Sequence, residues 1–136
     1  MAVVTLTFPG GHRTRSQVHG FEINTDYPVR LGGEESAPSP WATFLAALTS
    51  CQGIHIRNYC AEHGLPYEDI TVLMNPVVSS DNPDRFTDFN LEVVLPKDFP
   101  EEHREKLVEA AQSCRVVKHL CEYPVRVNMV TSKKTE

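Results

Sequence analysis

One run constrains this chain more than any other stretch: Pro38-Ser39-Pro40-Trp41 onward to His63 reads as a single, mostly apolar helix with a cysteine, Cys51, in its middle. Ser39 is a favourable N-cap, Pro40 suits the first helical position, and Gly64 is the expected stop. The helix is roughly twice the average length for a globular domain. Trp41, Phe44, Leu48, Cys51, His55 and Tyr59 recur every three or four residues and share one stripe, which Leu45, Ile54 and Ile56 widen. A helix so apolar has to be covered by the rest of the chain, and Cys51 is expected to face packing partners.

The remaining segments supply that cover. Val3–Phe8 and Gln17–Ile23 alternate as strands, with a short extended piece near Val29–Leu31, so a hairpin or three-strand meander is expected around Gly10-Gly11-His12-Arg13. Gly32 to Pro38 is a loop rich in turn formers. Ile70–Val78 and Phe86–Leu95 read as two longer antiparallel strands joined by a polar turn. Pro96 to Pro100 breaks the chain before an amphipathic helix from Glu101 to Ser113, whose early glutamates suit the positive end of the helix dipole. Val116–Cys121 is a candidate short helix, Pro124–Val130 a final strand, and Ser132–Glu136 a solvated tail. The fold class is therefore α+β: antiparallel strands enclosing a long central helix and a second, cysteine-bearing helix, within one domain over 1–136. With 40% hydrophobic residues in 136, the chain can bury a sizeable core.

A net charge of −5 without a basic run argues against nucleic acid as a partner. No stretch reaches the ~18 apolar residues of a membrane span, and the first residues lack the features of a signal peptide, so a cytoplasmic location is expected. Four cysteines, Cys51, Cys60, Cys114 and Cys121, are too few and too helix-embedded for a secreted disulfide scaffold. No nucleotide, flavin or phosphate-binding motif is present, and no cofactor is expected.

Leu31-Gly32-Gly33, Pro38-Ser39-Pro40 leading to Ala46-Ala47-Leu48-Thr49-Ser50-Cys51, Asp84-Arg85-Phe86-Thr87 and Ala110-Ala111-Gln112-Ser113-Cys114 occur in an order that resembles the OsmC/Ohr family, the osmotically inducible and organic hydroperoxide resistance proteins. The resemblance implies an intertwined homodimer with two sites at the subunit interface. It further implies that Cys51 is a peroxidatic thiol and Cys114 its resolving partner. The chemistry implied is a cysteine-based peroxidase for organic hydroperoxides in oxidative stress defence, regenerated by a dithiol or a lipoylated protein. Such a thiol must ionise, which burial alone opposes, so a cation is required. Gly10-Gly11-His12-Arg13 is similar to the family loop that bears the thiolate-stabilising arginine. This favours Arg13, acting in trans, over Arg15; His55, one turn beyond Cys51, is a further accessory candidate.

The chain departs from the pattern at one telling point. Ten residues before the reactive cysteine, where the peroxidase branches carry a glutamate that orients the arginine, stands Trp41, which places the chain in an OsmC-like subgroup lacking that carboxylate. Glu34 and Glu35 are the available substitutes. Arg115 and Lys118 follow Cys114 where many relatives have proline and serine, adding positive potential there. Trp41, Phe44 and Phe99 are candidate linings of an apolar substrate pocket, for which alkyl tails gain about 25 cal/mol per Å² buried. Cys60 is expected to pack structurally. Two alternatives stay open: a noncatalytic member of the fold that binds a small hydrophobic ligand, and a metal-binding module built from Cys51, His55, Cys114, His119 and Cys121.

Overall fold

In a computed structural model, which describes residues 2–123 and 125–135, five strands and three α-helices follow the order β1 (Val4–Gly10), β2 (Arg13–Val18), β3 (Phe21–Thr25), α1 (Pro40–Glu62), β4 (Thr71–Val78), β5 (Phe86–Val94), α2 (Arg104–Gln112) and α3 (Arg115–Cys121). The fold is α+β, as the alternation of strand and helix periods indicates. By their contacts the residues group into two compact units, one of residues 1–50 and 74–90 and the other of residues 51–73 and 91–136.

The first unit is built on an antiparallel meander, β1-β2-β3, in which Val4 pairs with Val18 and Val18 with Phe21. The stretch read as one strand, Gln17–Ile23, is two strands and a turn. His19 and Gly20 both have positive φ, 47° and 83°, the signature of a two-residue turn whose twist matches the flanking strands. Asn-Gly and Asp-Gly advertise that turn; His-Gly does so only weakly. Val29–Leu31, expected to be extended, instead forms a 3-10 turn closed by bonds from the Leu31 and Gly33 amides to the Pro28 carbonyl. At Gly33 a side chain has no room, since a Cβ would lie 1.9 Å from the Tyr27 carbonyl oxygen.

Helix α1 starts as its capping residues dictate. The Ala42 amide donates to Ser39 Oγ at 3.1 Å, and Pro40 occupies the first turn. Residues 40–50 of the helix belong to the first unit, where Trp41 stacks on Phe44 and on Phe86, centroids 5.3 and 4.8 Å apart, with Phe89 completing the cluster. Each aromatic pair adds about 0.5–1.5 kcal/mol beyond its burial.

The second unit is organised around Ile56, Cys60, Leu107 and Ala111, all buried, with Tyr59, Leu65, Tyr67, Ile70, Val72 and Phe99 among the side chains packed against them. The i, i+4 spacing within each pair places one stripe of α1 against one stripe of α2. Helix α2 is shorter than the sequence suggests, because Glu101–His103 forms a 3-10 turn before it. The strand expected over Pro124–Val130 does not form: residues 125–130 have no regular structure, and Pro124 lies outside the described residues. Val125, Val127 and Met129 alternate but remain exposed, since a strand needs a neighbour for its backbone ladder and none of the described residues pairs with them. Among the described residues, no helix is long and apolar enough to cross a membrane.

Candidate functional site

Helix α1 presents Cys51 within the second unit, and the break between α2 and α3 brings Cys114 against it. Cys114 caps α3 with extended backbone (φ −58°, ψ 134°), so the chain turns sharply at this cysteine. The two sulfurs are joined in a disulfide with Cα atoms 6.0 Å apart, a separation usual for such bonds. Their environments differ. Cys114 is fully buried, whereas Cys51 is half-buried and forms part of the wall of an open cleft of about 660 Å³.

That cleft carries an unusual charge pattern. Arg115, Lys118, His55 and His119 line it beside Cys51, with Ser113, Val116 and Tyr123 completing the walls and no carboxylate among them. The His119 ring donates from Nδ1 to the Arg115 carbonyl at 2.8 Å, one helical turn back, and meets Tyr123 edge-on. Ser113 Oγ is occupied by the Ala110 carbonyl. Lys118 and His119 signal this face in the sequence only through their spacing from Cys114, and Tyr123 gives no signal there.

The other two cysteines separate cleanly. Cys60 is fully enclosed in the core, and burial pushes its thiol pKa up, which keeps it protonated and unreactive. Cys121 is free and exposed at the end of α3. Close to Cys60, the Tyr59 hydroxyl and His103 Nδ1 share a 2.8 Å hydrogen bond, and the phenol pKa is raised by burial first and by Cys60 and Glu109 after it. Among the described residues, no three histidine, cysteine or acidic side chains converge as a metal site, so the metal-binding alternative lacks a ligand cluster.

The remaining candidates belong to the first unit. Arg13 opens β2 directly after the β1–β2 turn, and its Nε donates to the Gly10 carbonyl at 3.2 Å. Arg15 pairs across strands with Glu22 at 3.4 Å, both well exposed, a contact of little energetic weight. Glu34 and Glu35 serve the loop that precedes α1. The Glu35 carboxylate accepts from the Val29 amide, and the Glu34 amide donates to Asp26 Oδ2. Asp26 is the carboxylate that sequence reasoning missed. It is 1% exposed and accepts from the Ser36 hydroxyl at 2.7 Å and from the amides of Tyr27, Glu34 and Ser36. The Ser36 hydroxyl bond, helped by the three amides and opposed by burial, holds its pKa down from 3.8 to about 2. Of the three residues read as one apolar pocket, Trp41 and Phe44 stand in the aromatic cluster of the first unit. Phe99 packs against the core of the second.

Comparison with known proteins places these features in context. The family described as OsmC-like protein matches residues 32–130. A solved structure from Psychrobacter arcticus, named for an osmotic stress induced and detoxification response, superposes with a TM-score of 0.75 at 22% identity over 90% of both chains. The organic hydroperoxide resistance protein OsmC of Legionella pneumophila is similar at 20% identity, 89% of both chains and a TM-score of 0.58. The organic hydroperoxide resistance protein OhrB of Bacillus subtilis is similar at 20% identity, covering 88% of this chain and 89% of that one, with a TM-score of 0.52. No curated protein sequence matches the chain.

Proposed function

Because this chain belongs to the OsmC-like protein family, we propose that it is a thiol peroxidase that reduces organic hydroperoxides through Cys51 and Cys114 in oxidative stress defence. The observation that carries this reading is the contrast within the disulfide: Cys51 opens onto a cleft while Cys114 is enclosed behind it. An exposed attacking sulfur beside a shielded resolving sulfur is the arrangement that a two-cysteine cycle needs. Names of related proteins, such as organic hydroperoxide resistance protein, support the same substrate class.

In the cycle, the Cys51 thiolate attacks the distal oxygen of the hydroperoxide, the O–O bond breaks, and the alkoxide leaves as an alcohol after taking a proton. Cys51 is then a sulfenic acid, which the Cys114 thiol attacks to form the disulfide and release water. A dithiol returns both cysteines to the reduced state. The Cys51 thiolate needs cationic stabilisation, for which His55, Arg115 and Lys118 are at hand in the cleft wall. The reading includes a homodimer, in which Arg13 of the partner copy adds its guanidinium. Exposed Val4, Leu6 and Phe8 on β1 and the exposed apolar residues 125–130 supply the surface that such a dimer would bury.

The test is to reduce the protein, add one equivalent of an organic hydroperoxide and map disulfides by nonreducing peptide mass spectrometry. A rapid Cys51–Cys114 disulfide is expected. Cys51→Ser abolishes hydroperoxide consumption, and Cys114→Ser leaves a Cys51 sulfenic acid that a dimedone reagent traps. Thiols that stay reduced in a folded protein would overturn the peroxidase reading and favour a noncatalytic, ligand-binding member of the fold.

A further inference from the structure

Away from the disulfide, one group of potential ligands has no task in the peroxidase cycle. His63, just past the end of α1, and His103, in the 3-10 turn before α2, meet edge to face with ring centres 5.2 Å apart and planes at 64°. Both belong to the second unit. A single residue, Tyr59, orients the two rings. His63 Nδ1 lies 2.9 Å from the Tyr59 carbonyl oxygen, and His103 Nδ1 lies 2.8 Å from the Tyr59 hydroxyl. The Tyr59 ring also stacks on His63, centroids 4.1 Å apart, and meets His103 edge-on at 5.8 Å.

These bonds decide which nitrogens are left to act. A carbonyl only accepts, so His63 Nδ1 carries a proton, and in the neutral ring Nε2 holds the free lone pair. The Tyr59 hydroxyl can accept from His103 Nδ1 in the same way, which leaves the lone pair of that ring on Nε2 as well. Nδ1–H given to an oxygen and Nε2 offered outward is the arrangement that metal-bound histidines share. The spacing agrees with it. Two imidazoles that hold one ion at about 2.1 Å and at a tetrahedral angle keep their ring centres about 5 Å apart. An ion also has a way in, because His63 is exposed and the His103 side chain retains 21% of its surface. Glu102 Oε1, 3.8 Å from His103 Nε2, brings a negative charge to the same place.

We propose that His63 and His103 form a two-histidine site for an exchangeable divalent ion of the zinc, nickel and copper class, which ties the end of α1 to the start of α2. Imidazole suits these metals, whereas magnesium and calcium take oxygen ligands. Among the described residues no third histidine, cysteine or acidic side chain converges on this point, so water completes the coordination and the ion exchanges with solution. Tyr59 packs against the core that contains Cys60 and Leu107, so an ion held by the two rings that Tyr59 orients braces that core from its edge. Protons compete for Nε2, and binding therefore weakens as the pH falls. The site uses no thiol and stands or falls apart from the peroxidase cycle.

The experiment uses the full chain with the Cys51–Cys114 disulfide formed and Cys121→Ser in place, so that sulfur ligands do not compete, after treatment with a chelator. Zinc chloride is titrated by calorimetry at neutral pH, with magnesium chloride as the control, and histidine ring signals are followed by NMR. One zinc per chain is expected, with copper tighter than zinc and magnesium not bound. The His63 and His103 ring signals shift, while those of His55 and His119 in the cleft stay in place. His63→Phe keeps a ring for Tyr59 to stack on and, because His63 is exposed, leaves the fold intact; it lowers zinc affinity at least tenfold. Tyr59→Phe removes only the hydroxyl that orients His103 and weakens binding about tenfold. Saturating zinc raises the thermal midpoint of the parent protein and leaves that of His63→Phe unchanged. Absence of zinc binding, zinc affinity that His63→Phe does not alter, or shifts confined to other histidines would overturn the proposal.

Discussion

The loop around Asp26 and the cleft beside Cys51 treat charge in opposite ways. Asp26 is enclosed, and four donors from its own loop satisfy its carboxylate, leaving it nothing to offer a ligand. Arg115 and Lys118 stand in an open cleft with no carboxylate among its described lining residues. A buried charge has to be paired internally because desolvation is otherwise prohibitive, whereas a charge at an open wall can wait for a partner from solution. The first arrangement holds a loop in place, and the second is where chemistry with another molecule is to be sought.

Substitutions can break or sharpen this contrast. The largest effect on stability is expected at Gly33 in the loop, where Gly33→Ala drives a Cβ into the Tyr27 carbonyl and has to displace backbone that Asp26 holds. A loss on the order of 2–4 kcal/mol is expected in chemical denaturation; a loss below about 0.5 kcal/mol would mean that the loop is pliable and the contrast overstated. Asp26 itself comes next. Its carboxyl is held at about 2 in the folded state against an ordinary 3.8, so its contribution to stability is complete above about pH 4 and is lost as the pH falls toward 2. Denaturation midpoints measured across that window should decline in the parent protein, and Asp26→Asn should lower stability at neutral pH while flattening this part of the acid-side decline. The smallest stability effect is expected in the cleft. Arg115→Gln with Lys118→Gln should change unfolding free energy by no more than about 0.5 kcal/mol, because neither cation has an ion-pair partner among the described residues. A loss of 2 kcal/mol there would assign the two side chains a structural task and erase the difference between the regions.

The same comparison explains which features could be read from the sequence. The long helix was legible from Ser39, Pro40 and the apolar spacing through Tyr59, since capping and helical periodicity are local. The α+β class and strands β4 and β5 were legible for the same reason. The His19-Gly20 turn was not, because a positive φ at histidine leaves no compositional mark, and the final strand was over-read because alternation states a preference without supplying a neighbour to pair with. At the site, Cys51 and Cys114 stood out once set in family order. Trp41 stacks with Phe44 and Phe86 and packs against Phe89. Asp26 went unnoticed because its four donors come from residues 27–36, arranged by a loop with no sequence period.

By itself, then, the sequence determined the elements with a local physical cause: where the central helix begins and ends, and that its middle carries a thiol; the face of that helix that is most buried, Leu48, Gln52, Ile56 and Cys60, is not the stripe read from the spacing. Only the tertiary structure decided how enclosed each cysteine is. Cys60 is sealed in the core, Cys114 is enclosed, and Cys51 alone of the three opens onto a basic cleft. The physical reason is that exposure and electrostatic environment are summed over residues far apart in the chain, and no spacing along α1 distinguishes a cysteine that meets solvent from one that meets Leu107 and Ala111.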